Sequence, residues 1–163
     1  MYIIITVIMT IVGLIIGAII VGKVVVKPTF EEIRRLREES AKHLDLYLLM
    51  NDWVHIKQNR KSLSSYFEKN GYKKIAIYGM NYVGETLVKE LQGTNIEIAV
   101  GIDKNANSMT SSIKLVTIEN FEDIVDAVIV TPIAFFDSIA DSLEKKIDCP
   151  VVSIEDVVYE VNH

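Results

Sequence analysis

Hydrophobic and polar positions divide the chain into three stretches with different periods. Tyr2 to Val21 carries no charge and only two threonines among its apolar and small residues. At about 1.5 Å per residue it predicts a helix of roughly 30 Å, the thickness of a bilayer core. Further on, Ile33, Leu36, Ser40, His43, Tyr47, Met50 and Val54 recur at alternating steps of three and four, broadened by Leu44 and Leu48. That spacing predicts an amphipathic helix. It is compatible with a short coiled coil, but its breadth favours packing against the globular part or a second copy. Pro28 and Thr29, followed by Glu31 and Glu32, predict that this helix starts afresh behind a capping box. A second short helix runs from Ser62 to about Lys69 and stops at Asn70-Gly71.

From Lys73 the pattern alternates between strands and helices, the order that builds a parallel sheet covered on its faces. The apolar run Ile75 to Tyr78 reads as a first strand, and Leu87, Val88 and Leu91 as a helix after Gly84. Strands follow at Ile96 to Ile102, Ile113 to Val116, Ala127 to Thr131 and Val151 to Ile154. Helices are expected at Glu119 to Ile124, Phe135 to Lys146 and Glu155 to Val161. With right-handed crossovers the fold class is α/β, a Rossmann-like parallel sheet of about five strands in the order 3-2-1-4-5 with flanking helices. Three regions result: residues 1–24 as a transmembrane anchor, 25–72 as a helical linker and packing region, and 73–163 as the nucleotide-binding domain.

Charge sharpens the division. The formal net charge is −5, yet residues 1–74 hold 12 Lys and Arg against 7 Asp and Glu, and residues 75–163 hold 5 against 15. An acidic distal part argues against a nucleic-acid backbone as partner. The basic residues Lys23, Lys27, Arg34, Arg35, Arg37 and Lys42 follow the apolar segment and none precedes it, so the expectation is a single pass through the cell membrane, N-terminus outside and C-terminal domain cytoplasmic. A signal peptide is the rival reading; the length of the apolar run and the lack of a cleavage pattern favour a retained anchor. Gly13 and Gly17 form a GxxxG pattern in that segment, which suits either a helix dimer or incidental small residues. The single cysteine, Cys149, rules out an internal disulfide and suits a reducing compartment.

Candidate chemistry gathers in GMNYVG, Gly79, Met80, Asn81, Tyr82, Val83 and Gly84, where a strand hands over to a helix. Backbone N–H groups at such a helix start favour a phosphate. Gly79 and Gly84 stand at the first and third glycine positions of a dinucleotide fingerprint, and Asn81 replaces the middle one. Asp103, 24 residues beyond Gly79, is placed to accept hydrogen bonds from ribose hydroxyls, with the cation Lys104 beside it. Thr131 and Pro132 end the fourth strand at the edge where open α/β sheets bind ligands. Structural readings stand beside each: a tight turn needing Gly84 for helix packing, a loop-starting aspartate, a strand-ending proline. Cys149 lies near acids, which does not suit a reactive thiolate. Trp53, in the same helical stretch as Tyr47, reads as core.

Missing groups matter too. No tyrosine precedes a lysine by four residues, no serine stands in GxSxG, and the histidines do not cluster with acids or cysteines. No catalytic constellation can be written, and no metal site. At KKIAIYGMNYVGETLVKEL, VGIDKNA, VDAVIVTPIAFFDSIADSL and CPVVSIEDVVYEV the chain resembles a bacterial family of Rossmann-type, nucleoside-diphosphate-sugar epimerase-like modules found with cell-surface polysaccharide biosynthesis proteins. The likeness extends back through LMNDWVHIKQNRKSLSSYFEKNGY, covering roughly residues 45 to 161. It implies NAD or a nucleotide sugar as ligand, with Gly79, Asn81, Gly84 and Asp103 matching the binding loop and ribose acid, and a polysaccharide-biosynthesis protein or a second copy as partner. A membrane-anchored accessory binding module is the leading expectation. A nucleotide-sugar enzyme completed by a partner subunit, a sensing domain of a transporter or channel, and a protein-binding scaffold are the alternatives.

Overall fold

The computed structural model describes residues 1–163, the side chain of Val25 excepted. The chain forms two compact units, Met1–Leu44 and Asp45–His163. In the first, α1 (Tyr2–Val21) buries no residue and is long and apolar enough to cross a membrane. It does not stop where the capping box predicts a fresh start. One π-type turn, Gly22–Val26, carries the helix into α2 (Lys27–Gln58), with the Lys27 N–H bonded to the Gly22 carbonyl. The wider turn has a physical reason: Pro28 donates no N–H, and its ring crowds the carbonyl four residues back in a regular α-helix.

The second unit is built on a five-stranded sheet in the order β3-β2-β1-β4-β5. Its strands are β1 (Lys74–Tyr78), β2 (Glu97–Ile102), β3 (Leu115–Val116), β4 (Ala127–Val130) and β5 (Val151–Ser153). All four pairings are parallel, in the predicted order. Alternation along β1 divides the core. Ile75 and Ile77 face α4 (Tyr82–Leu91), α6 (Ile154–Asn162), the last turns of α2 and α3 (Ser64–Asn70). Ala76 faces the opposite side with Val128, Val130 and Leu143 of α5 (Phe136–Leu143).

The face of α2 that joins this core is set by Leu49, Trp53 and Ile56. Tyr47 and Val54, members of the three-four stripe, are exposed instead. At 100° per residue the two sets lie on nearly opposite sides of the helix, and the larger area buried by Trp53 decides which side faces the sheet. The predicted helix at 119–124 is reduced to a 3-10 turn, Ile118–Asn120. Phe121 and Val125, which share a face at helical spacing, instead reach the second core from irregular backbone running into β4. The third strand is two residues long, and α5 begins after a 3-10 turn at Ile133–Phe135 and ends at Leu143.

Two carboxylates fasten the second unit, one between its helices and one at the edge of the sheet. Glu90 of α4 is nearly buried and accepts from Lys57 Nζ at 2.9 Å, Ser62 Oγ at 3.2 Å and the Leu63 N–H at 3.3 Å. The sheet's amino edge is held by Asp126, whose Oδ2 accepts the N–H groups of Lys73 at 2.7 Å and Lys74 at 2.8 Å. These two backbone bonds, that of Lys74 foremost, hold its carboxyl below the usual range.

Replacing Glu90 with Ala leaves the Leu63 N–H and Ser62 hydroxyl without their partner, and should cost about 2 kcal/mol in urea unfolding of the full chain in detergent. For Asp126 the lowered folded pKa means its contribution is fully present above the ordinary carboxylate titration near pH 4 and is lost as pH falls through the lower folded value. Asp126→Asn should therefore flatten the acid limb of stability against pH below about 4 while changing its shape little above about pH 5.

Candidate functional site

The chain leaves β1 through Gly79 and re-enters helix at Tyr82, and the first constraint on this turn is steric. Gly79 has φ +90°, a conformation that a side chain disfavours. A Cβ there would also stand 2.6 Å from Pro132 Cδ and 2.9 Å from Thr131 Oγ1. Across the turn, a Cβ on Gly84 would stand 2.4 Å from the Gly79 carbonyl oxygen. Both glycines thus permit internal close packing, and α4 starts directly against the end of β1.

Most of the loop's N–H groups are used within the chain. The Gly79 N–H bonds to the Ile102 carbonyl at 2.8 Å, and the Met80 N–H to Asp103 Oδ2 at 3.0 Å. Asn81 is the N-cap of α4, its Oδ1 accepting from Val83 N at 2.9 Å and Gly84 N at 3.2 Å. The carboxamide therefore occupies two of the donors that the sequence offers to a phosphate. Among the described residues, the N–H groups of Asn81 and Tyr82 are the two in the loop without an internal acceptor.

Side chains of the predicted site separate into two groups. Met80 and Val83 are buried, and Met80 lies over Gly101, where a Cβ would meet its Cγ at 2.7 Å. They belong to the core and offer a ligand nothing but backbone. Asn81, Tyr82 and Lys104 are exposed, Tyr82 at 92%. Asp103 is half-buried at the end of β2; besides the Met80 N–H it accepts the Asn105 N–H on Oδ1 at 2.9 Å. Asn105 is the residue that sequence reasoning missed, although an aspartate two residues before a loop asparagine is an Asx-turn signal. Thr131 is buried; its hydroxyl donates to the Gly79 carbonyl, and its N–H pairs with the Tyr78 carbonyl at 3.0 Å. Pro132, half-buried, rests on Gly79.

These residues converge at the carboxyl ends of β1, β2 and β4. The strand order reverses there, since the chain builds outward from β1 to β3 and then returns to add β4 and β5 on the other side. Open parallel sheets place ligands at this kind of crevice. Beneath it the Tyr78 phenol is pushed above its usual pKa, chiefly by burial and then by the Asp103 and Glu119 carboxylates. Cys149 lies at the opposite edge, before β5, and burial raises its thiol so that it stays protonated at neutral pH. Among the described residues no group of three or more His, Cys, Asp and Glu could hold a metal ion. Compared with known proteins, the chain matches no family model, no curated protein and no solved structure.

Because the Gly79 carbonyl cannot move without disturbing β1, Gly84→Ala should destabilise the domain by about 2–4 kcal/mol. Denaturant unfolding of the full chain in detergent measures this, and a loss under about 0.5 kcal/mol would show that the turn relaxes freely.

Proposed function

We propose that the chain is a membrane-anchored binding module whose Rossmann-like domain, on the cytoplasmic side, holds NAD or a nucleotide sugar at the glycine loop, accessory to cell-surface polysaccharide biosynthesis. The observation that carries this reading is the convergence of the loop 79–84, Asp103 and Thr131–Pro132 at the reversal of strand order. The likeness to epimerase-like modules points the same way. The basic residues that follow α1 orient the domain toward the cytoplasm.

On this reading Asn81 competes with the ligand. A diphosphate docking at the start of α4 takes the Val83 and Gly84 N–H groups from the carboxamide and adds those of Asn81 and Tyr82. Displacing an N-cap costs about 1 kcal/mol, somewhat less than a tenfold change in affinity, so the cap weakens binding without abolishing it. Asp103 would exchange its bond to the Asn105 N–H for a ribose hydroxyl.

A second reading follows from the same hydrogen bonds. A loop whose donors are met internally, with Pro132 resting on Gly79, also suits a scaffold that binds only protein. Calorimetry of the full chain in detergent against NAD, NADP and UDP-glucose separates the two. The nucleotide reading expects saturable heat with at least one ligand, and Asn81→Gly should tighten it by up to roughly tenfold, because glycine caps a helix nearly as well without occupying the donors. Absence of heat with all three ligands, in wild type and variant alike, leaves the scaffold.

A further inference from the structure

We infer that α2 is a dimerisation helix, pairing in parallel with the same helix of a second copy of this chain. The inference is independent of whether the loop binds a nucleotide. In the second unit, α2 packs on the sheet through Leu49, Trp53 and Ile56, while Tyr47 and Val54 on the far side are 65% and 48% exposed. In the first unit the three-four spacing places Ile33 and Leu36 on the helix surface, 41% and 53% exposed. Alternating steps of three and four form the stripe that two helices cover mutually, each residue seating between residues of its partner.

Charges around Ile33 and Leu36 identify the occupant. If Ile33 is a and Leu36 is d of a heptad, Lys27, Arg34 and Arg35 fall on the outer positions b and c. These cations pair within the helix, Lys27 with Glu31 at 4.0 Å, Arg34 with Glu38 and Arg35 with Glu39 at 3.8 Å. Three charges flank the stripe; Glu39 at g already pairs with Arg35, which leaves Glu32 at g and Arg37 at e, and among the described residues neither of these enters an ion pair. They are opposite in sign and five residues apart, the separation at which g of one helix meets e of a parallel partner. A second copy therefore satisfies both charges twice over, Glu32 to Arg37 and Arg37 to Glu32. An antiparallel partner sets g beside g and brings Glu32 and Glu39 near each other, which disfavours it. Ser40 and His43 continue the stripe with polar groups, which set register at a cost in stability.

The test uses the full chain in detergent micelles, with Cys149→Ser for the crosslinking arm. Under oxidation, Ile33→Cys and Leu36→Cys should form disulfide-linked dimers and Arg34→Cys, on the outer side, should not. In analytical ultracentrifugation, Arg37→Glu should raise the dimer dissociation constant about tenfold, and Glu32→Arg combined with Arg37→Glu should restore it. Because the double variant recovers the effect, misfolding cannot account for the single one. A chain monomeric at every concentration overturns the inference, as does a dimer indifferent to Arg37→Glu. Spin labels at positions 33 and 36 that report headgroup contact in a monomeric chain in anionic nanodiscs would assign this face to the bilayer surface and equally overturn it.

Discussion

The Gly79 carbonyl is the point on which the second unit depends. It accepts the Thr131 hydroxyl, and it lies so near Gly84 that no other residue fits there without displacing backbone. Through the first contact the end of β1 is locked to the end of β4, and through the second α4 is seated against the sheet. β1 is the central strand, with β2 on one side and β4 on the other. A shift of its exit would disturb both halves of the sheet and the helix covering one face. Backbone packed against backbone has no rotamer with which to yield.

That close packing also determines what the loop can do. A helix start beside a glycine turn ordinarily presents several free N–H groups, and their common direction attracts an anion. Here Asp103 and Asn81 take three of them, and the Ile102 carbonyl takes a fourth. Asn81 caps the helix, and its single carboxamide oxygen takes the Val83 and Gly84 N–H groups.

α2 shows how one helix carries two patterns. Its last turns hold Leu49, Trp53 and Ile56 against the sheet, fastened by Glu90 through Lys57 and the start of α3. Tyr47 and Val54 of the three-four stripe lie on a different side, while Met50 of the same stripe packs against the margin of the core. Both sides carry apolar residues at helical spacing, so periodicity alone predicts a broad amphipathic helix without assigning either side to the core. The aromatic bulk of Trp53 and the complementary surface of α4 make that choice.

Much of the architecture was legible in the residues themselves. Apolar runs bounded by turn residues marked five strands, their alternation with helices marked a parallel sheet, and handed crossovers left one strand order. The uncharged run Tyr2–Val21 marked a helix of spanning length, and Gly71, with φ +74°, ended α3 where Asn70-Gly71 indicated. These features depend on local composition and on period. The continuous passage from α1 into α2 was hidden, because Pro28 fits either after a break that Thr29 caps or after a π turn that widens the helix before it. The irregular path from Phe121 to Val125 was hidden for a similar reason, since burial of two residues four apart is open to helix and to irregular backbone alike. In the site, the sequence by itself determined a glycine turn between strand and helix with an acid at the next strand's end. Only the tertiary structure decided that Asp103 reaches the Met80 N–H, that Asn81 fills the helix start and that Pro132 rests on Gly79. Those contacts join residues up to about fifty positions apart, and no local pattern encodes which of several possible acceptors a free donor will meet once the strands are side by side.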